Sequence, residues 1–193
     1  MSDALPSEIL LVRHGETPWS RTGVFAGRTD IPLTPEGEEQ AAAVGRHLAA
    51  ESFDHVWASP MLRARETCRI AGFLDRAAFD DDLRERSYGA FEGRTLADIR
   101  AEYPEWSQWT AQGPEGESLD DVAQRAERVA NRLAQTPGRV VVFAHGHLLR
   151  VLTATWLRLP PLTGRYLALR TGAVCRLGWE GGVRVIHSWN LVP

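Results

Sequence analysis

The stretch RVVVFAHGH at residues 139–147 carries the strongest strand signal in the chain, a β-branched and aromatic run that ends on two histidines. A helix is expected immediately after it, from about Leu148 to Leu157. The same pattern stands at the other end of the chain. Glu8 to Arg13 (EILLVR), bounded by Pro6 and Gly15, has strand length and again leads into a histidine, His14. Between them, Thr34-Pro35-Glu36 supplies an N-cap, a first-turn proline and an early acid, so a helix is predicted to about Glu51 with Ala41, Val44 and Leu48 on its inner face. Asp54 to Ala58 reads as a second strand and Pro60 opens a helix to about Phe73. Strand and helix thus alternate, which places the chain in the α/β class with a parallel sheet.

Further out, Ser118 and Asp121 cap a helix to about Gln135, with Leu119, Val122, Ala126, Val129 and Leu133 on one face. Residues 165–189 alternate around Gly172 and Gly181-Gly182 and are expected to form edge strands or a hairpin. From about 80 to 117 the pattern breaks into short polar pieces, punctuated by Gly89, Gly93, Pro104, Gly113 and Pro114. This segment is expected to be a cover inserted into one domain spanning 1–193. Tyr103, Trp106 and Trp109 within it are expected to pack a core.

Composition narrows the function. The chain has 193 residues, 44% of them hydrophobic, and a formal net charge of −3, as for a soluble globular domain that can hide roughly 70% of its unfolded surface. The N-terminal apolar run Ile9–Val12 is too short for a signal or a membrane span. Cys68 and Cys175 stand apart without metal-ligand spacing. A cytoplasmic location is expected, with no membrane partner. All 22 basic residues are arginine, spread along the chain rather than gathered in a stripe, which argues against nucleic acid. Exposed sheet edges permit a homodimer without requiring one.

The chemistry is expected at the two histidine-bearing strand ends, because ligands of open parallel sheets bind outside the carboxyl ends of the strands. Glycine after each histidine, Gly15 and Gly146, is expected to let the backbone pass close to a ligand. Arg13 beside His14 suits an anion better than a core, and Arg63 begins another helix just after a strand, so it can converge on the same crevice. Two arginines with His14 and His145 would make a phosphate pocket, in which a neutral imidazole can attack phosphorus. Glu85, at the head of the cover, is the best-placed proton donor by sequence. His145-x-His147 could alternatively hold a metal ion on one face of an extended segment, but no acidic cluster completes the ligand set.

Taken together, Arg13-His14-Gly15-Glu16-Thr17, Ser59-x-x-x-Arg63-Ala64-x-x-Thr67, the Glu85 segment and His145-Gly146, in that order, resemble the histidine phosphatase superfamily of phosphoglycerate mutase-like proteins over essentially the whole chain. The resemblance implies a three-layer α/β/α sandwich around a mostly parallel sheet. It further implies a phosphohistidine on His14, phosphoryl binding by Arg13, Arg63 and His145, and Glu85 as proton donor, with no metal and no cofactor. The substrate would be a small phosphate ester.

The Trp19-Ser20 pair and Thr29-Asp30-Ile31-Pro32-Leu33-Thr34 are similar to the branch of sedoheptulose-bisphosphatase-like sugar phosphatases. Ser20 stands where the family often has asparagine, and its hydroxyl is a candidate phosphate contact. Gly27, Tyr88, Gly146 and His147 are the other candidate substrate contacts. The segment Glu85–Gly89 is also similar to mutases. Against mutase activity, Ala26 precedes Gly27 where mutases typically carry a threonine, the stretch from Glu85 to His145 is short, and paired substrate arginines have no counterpart there. Hydrolysis of a small phosphomonoester, a sugar phosphate by the branch resemblance, is therefore expected over mutase activity or noncatalytic phosphate binding.

Overall fold

The structure, a computed structural model, describes residues 8–193; Pro6, expected to bound the first strand, lies outside them. In chain order the elements are β1 (Glu8–Arg13), α1 (Pro18–Thr22), α2 (Pro35–Leu48), β2 (His55–Ala58), α3 (Leu62–Ile70), β3 (Ala77–Phe79), α4 (Leu96–Glu102), α5 (Leu119–Gln135), β4 (Arg139–Ala144), α6 (Gly146–Trp156), β5 (Val174–Glu180) and β6 (Val183–Leu191). The strands form one six-stranded sheet in the order β3-β2-β4-β1-β5-β6. The four strands from β3 to β1 run parallel, while β5 is antiparallel to β1 and β6 to β5.

Alternation along β1 and β4 explains the layers, because successive strand residues point to opposite faces of the sheet. Ile9, Leu11, Val140, Val142 and Ala144 pack with Val122, Ala126 and Val129 of α5 and Leu148, Leu152 and Trp156 of α6. Leu10, Val12, Val141 and Phe143 pack on the opposite face with Val44 and Leu48 of α2 and Cys68 of α3. The result is the expected three-layer α/β/α sandwich. Its helices start where capping residues stand: Thr34 accepts from the Gly37 N–H, and Ser118 and Asp121 form a reciprocal capping box. The β5–β6 hairpin turns at Gly181-Gly182, both with positive φ.

Several boundaries differ from the sequence expectation. The helix from Thr34 ends at Leu48 rather than Glu51, and α3 runs from Leu62 to Ile70 rather than from Pro60 to Phe73. In the second case Gly72, with φ +86°, turns the chain before Phe73 enters the core. The three-residue edge strand β3 and the short helix α1 carry too few residues for a periodic signal. The last helix begins at Gly146, two residues before the expected Leu148, for a nonlocal reason that belongs to the site described below.

Residues 84–117 wrap over the carboxyl end of the sheet as short pieces with an apolar centre of their own, Tyr88, Phe91, Ile99 and Trp106, backed by Phe25 and Ala111. Trp106 thus meets the expectation of core packing, whereas Tyr103 is largely exposed.

At the opposite end of the sheet, Glu8 and Glu51 interlock with Arg139 and Arg176, tying β4, β1 and β5 together. Partial burial alone would raise both carboxyl pKa values, but hydrogen bonds from the two guanidinium groups overcome it and hold both below the ordinary glutamate value. Because the folded-state values are depressed, the stabilisation is fully present above the ordinary range and is lost as pH falls through the folded values. Glu51→Gln is therefore expected to lower unfolding stability by about 1 kcal/mol at pH 7, with the difference from the parent closing below about pH 4. Urea denaturation at pH 7 and pH 3.5 checks this, and a deficit of equal size at both would sink the ionic account.

Candidate active site

The parallel pairing of β1 with β4 sets Arg13 opposite Ala144, and the His14 N–H donates to the Ala144 carbonyl at 3.0 Å. His14 and His145 therefore leave adjacent strands side by side, with ring centroids 5.3 Å apart. On the other side of β4, the Ser59 N–H donates to Phe143 O at 2.9 Å, bringing the end of β2 into the same row.

His14 is buried, at 4% exposure, and its Nδ1 lies 2.7 Å from the Gly15 carbonyl. A carbonyl oxygen only accepts, so Nδ1 carries the proton and Nε2 keeps its lone pair. Burial, with Arg63 and Arg13 nearby, pushes the His14 pKa well below the ordinary histidine value, so the ring is neutral near pH 7. The loop is fixed from behind: the Gly15 N–H donates to Thr67 Oγ1 at 3.0 Å, and that hydroxyl donates to Arg63 O at 2.7 Å.

Arg63 is almost fully buried and reaches through Nη1 and Nη2 to the carbonyls of Thr29 and Gly27, at 3.0 and 2.8 Å. Arg13 donates to Leu169 O at 2.5 Å. Neither guanidinium has a carboxylate ion-pair partner among the described residues, and the Nε of each is buried without a hydrogen bond. Burial lowers both arginine pKa values in spite of the attraction of Glu85, without threatening their charge. His145 Nε2 lies 2.7 Å from Ser59 Oγ, while Nδ1 is buried without a partner. Its pKa is also pushed far down, by burial first and by Arg63 and His14 next.

Glu85 explains where α6 starts. Its Oε2 accepts from the His147 N–H at 3.0 Å and its Oε1 from the Leu148 N–H at 3.0 Å, satisfying two donors of the helix's first turn. The Arg86 N–H also donates to Oε1, at 2.9 Å. The N-cap residue His145 makes no side-chain cap, so the cap comes from a residue far away in sequence. Because the helix begins at Gly146, His145 and His147 do not share an extended segment, and the two-histidine metal arrangement is not formed.

All five expected catalytic residues thus converge, with Arg13, His14, Arg63 and Glu85 lining one cavity of about 340 Å³ and His145 against His14. Ser20, Gly27, Tyr88, Gly146 and His147 also line it. A larger cavity, about 610 Å³ between α5 and the end of α6, lies away from the histidines.

Some candidates also have contacts within the protein. At Gly15 a Cβ would collide with the Gly37 backbone, and at Gly146 it would lie 3.1 Å from the Arg13 guanidinium, so both glycines let neighbouring protein approach closely. Ser20 accepts from the Thr17 N–H at 2.8 Å and donates to the Thr17 carbonyl at 3.1 Å, so its hydroxyl is engaged in the capping box of α1. Gly27 supplies its carbonyl to Arg63.

His147 stacks on Trp109 with centroids 4.4 Å apart, and both of its ring nitrogens are buried without partners. Burial and then Arg86 and Arg150 hold its pKa well below the ordinary value. Burial likewise drives the Tyr88 pKa upward, reinforced by Glu85.

Residues not singled out as site members also reach the cavity. Arg150 lies over the Trp109 ring at 4.5 Å, and Gln108 accepts from Tyr88 OH at 3.1 Å. Arg150 follows His147 by one helical turn, a spacing that marks it; Gln108 carries no sequence signal. Ser59 and Thr67 stand within the quoted motif, and their roles here are to hold His145 and Gly15.

A family model for the histidine phosphatase superfamily (branch 1) matches residues 9–192. A Mycobacterium tuberculosis protein named acid phosphatase is 38% identical over 187 residues, covering 95% of this chain and 92% of that protein. A Saccharomyces cerevisiae sedoheptulose 1,7-bisphosphatase is 34% identical, covering 79% and 68%, and a protein of Erwinia tasmaniensis named as a probable phosphoglycerate mutase is 32% identical, covering 94% and 89%. Among solved structures, the product of a Mycobacterium tuberculosis open reading frame superposes with a TM-score of 0.89 at 34% identity, covering 96% of this chain and 98% of that one. A match over nearly the full length, joined to the convergence of the motif residues on one cavity, places this chain in the histidine phosphatase superfamily.

Proposed function

We propose that the protein hydrolyses a small phosphomonoester, a sugar phosphate in our reading, through a phosphohistidine on His14 without a metal ion. The observation that carries the proposal is the His14 tautomer: the Nδ1 proton is committed to Gly15 O, and the Nε2 lone pair is free beside two guanidinium groups that lack carboxylate ion-pair partners. A phosphoryl dianion supplies the missing counter-charge, and pre-oriented donors stabilise it further as charge builds on the equatorial oxygens.

In the first step Nε2 forms a bond to phosphorus as the phosphorus–oxygen bond to the leaving group breaks. Glu85 gives its proton to that oxygen, and an alcohol departs. In the second step water attacks the phosphohistidine, Glu85 takes a proton from the water, the phosphorus–nitrogen bond breaks, and inorganic phosphate leaves with His14 neutral again. Arg13, Arg63 and His145 hold the phosphoryl oxygens in both steps. Tyr88, His147 and Gly27 border the space left for the alcohol.

Hydrolysis is favoured over mutase chemistry because Ala26 lines the cleft where mutases typically carry threonine, and because relatives named as acid phosphatase and sedoheptulose 1,7-bisphosphatase match the chain well. The decisive assay is phosphate release from sugar mono- and bisphosphates, phosphoglycerates and nucleotides, in chelator, with parent protein and His14→Ala. The parent is expected to turn over at least one sugar phosphate, and the variant to lose activity by more than about 10³-fold. Full activity in the variant would remove the phosphohistidine. Rapid interconversion of 2- and 3-phosphoglycerate with little phosphate release would make the protein a mutase, and no reaction with any ester would leave a binding module.

The His14 tautomer has its own test. In ¹⁵N spectra of the free protein, the ring is expected to remain neutral with the proton on Nδ1 through the range near pH 6.5 in which an ordinary histidine titrates. Titration near pH 6.5 would contradict the buried environment described above.

A further inference from the structure

We propose that Glu117, gripped by Arg125, is a positioning residue for Glu85, fixing the backbone around the proton donor and tying it to the loop that holds Arg63. The inference rests on the reading of Glu85 as the donor. Glu117 stands at the end of the cover, just before α5. Its Oε2 accepts from the Ser87 N–H at 2.7 Å, and the carboxylate also accepts from Arg125 Nε at 2.9 Å and Arg125 Nη2 at 3.1 Å. Arg125 in turn donates through Nη1 to the carbonyls of Arg84 at 2.5 Å and Asp82 at 2.9 Å. One ion pair therefore holds the carbonyl just before Glu85 and the N–H two residues after it.

The intervening residue is held as well. Arg86 is buried and donates to the carbonyls of Glu117, Ala111 and Gln108, all in the cover. With Arg84, Arg86 and Ser87 each fastened, the only freedom left to Glu85 is in its own side chain, and α6 takes that up through two N–H groups.

A second arm leads to the phosphoryl side. Arg28 Nη2 donates to Glu117 Oε1 at 3.2 Å, and Arg28 sits between Gly27 and Thr29, whose carbonyls hold the Arg63 guanidinium. Glu92 braces the same loop, accepting from the N–H groups of Arg28 and Thr29 at 2.8 Å and from Tyr88 N–H at 3.2 Å. Glu117 is thus shared by the two groups whose separation must match the distance between a phosphoryl oxygen and its leaving oxygen.

The location of Arg125 shows that the pair is more than surface decoration. It is 5% exposed, on the face of α5 that carries Val122, Ala126 and Val129 into the core. A guanidinium there is costly unless it is fully partnered, and its partners are Glu117 and the strand of backbone leading to Glu85.

A proton donor displaced by even about 1 Å loses most of its effect, on the order of 10²-fold. That loss appears only where the leaving group needs a proton. The experiment compares kcat/KM, which reports steps through phosphoenzyme formation, for p-nitrophenyl phosphate, whose phenolate leaves unaided, and for an alkyl phosphate such as a sugar phosphate. For Glu117→Gln the alkyl value is expected to fall about 10- to 100-fold while the aryl value stays within about 3-fold.

Arg125→Lys, which keeps a charge but has no second arm for Arg84 O, is expected to show the same discrimination. It serves as the second variant should Glu117→Gln not fold. Glu85→Gln is the reference and is expected to discriminate more strongly still. Equal loss on both substrates, or on neither, in the Glu117 and Arg125 variants while Glu85→Gln discriminates would overturn the positioning role alone. Absence of discrimination in Glu85→Gln would instead remove the donor assignment beneath it.

Discussion

The parallel register between β1 and β4 is the constraint on which everything else in this structure hangs. These strands lie at the middle of the sheet, each buried on both faces, so a slip of one residue would exchange the side chains that face α2 and α3 with those that face α5 and α6. Core packing therefore locks the register, and the register aligns Arg13 with Ala144 and places the two histidines next to each other at the strand ends. The site's geometry is in this sense a by-product of burying Leu10, Leu11, Val141 and Val142. At the far end of the same strands, the Glu8–Glu51–Arg139–Arg176 network reinforces the alignment with charge.

Electrostatics at the active end run in one direction. Three histidines are buried near arginines, and each is held neutral by lost solvation and by neighbouring positive charge. A neutral imidazole is the reactive form for attack on phosphorus, and a protonated one would add a further unpaired charge to a crowded cavity. The arginines cannot relieve the strain by losing protons, so they keep their charge and are held by carbonyl oxygens instead of carboxylates. A nearby carboxylate ion pair would compete with a phosphoryl group for the same donors. The arrangement leaves the cavity short of negative charge until an anion enters.

Much of this was legible in the sequence because its signals are local. β1 and β4 are short apolar runs, α5 has a capping box and a 3.6-residue period, and the Gly-Gly turn of the β5–β6 hairpin sits between alternating segments. What was not legible depends on contacts between distant residues. The start of α6 at Gly146 needs a carboxylate 62 residues earlier in the chain. The close protein contacts at the glycines after the two histidines, Gly15 against Gly37 and Gly146 against Arg13, also join residues distant in sequence. Trp109 packs partly buried against the core, as expected, but its stacking on His147 and the burial of Arg125 on α5 emerge only from the folded chain.

The cover reconciles two demands that a phosphatase of this kind must meet. Leaving groups differ in shape, so the surface that recognises them must be free to vary, yet the proton donor must stay within hydrogen-bond reach of the departing oxygen. On the proposed reading of Glu85 as the donor, both belong to one segment of short pieces with its own apolar centre. The segment is fastened most densely around Glu85: its two ends meet through Glu117, and Arg86 ties its middle at Gln108 and Ala111. Glu85 enters from the sheet side and is fixed by α6, while Glu117 closes the segment against Arg125 and reaches back to Ser87. Tyr88 and Gln108 face the cavity, joined by the Tyr88 hydroxyl donating to Gln108 Oε1 at 3.1 Å. The surface that borders the cavity and the proposed proton donor thus share thirty-odd residues of chain, which is why the histidines alone say so little about the alcohol that would leave.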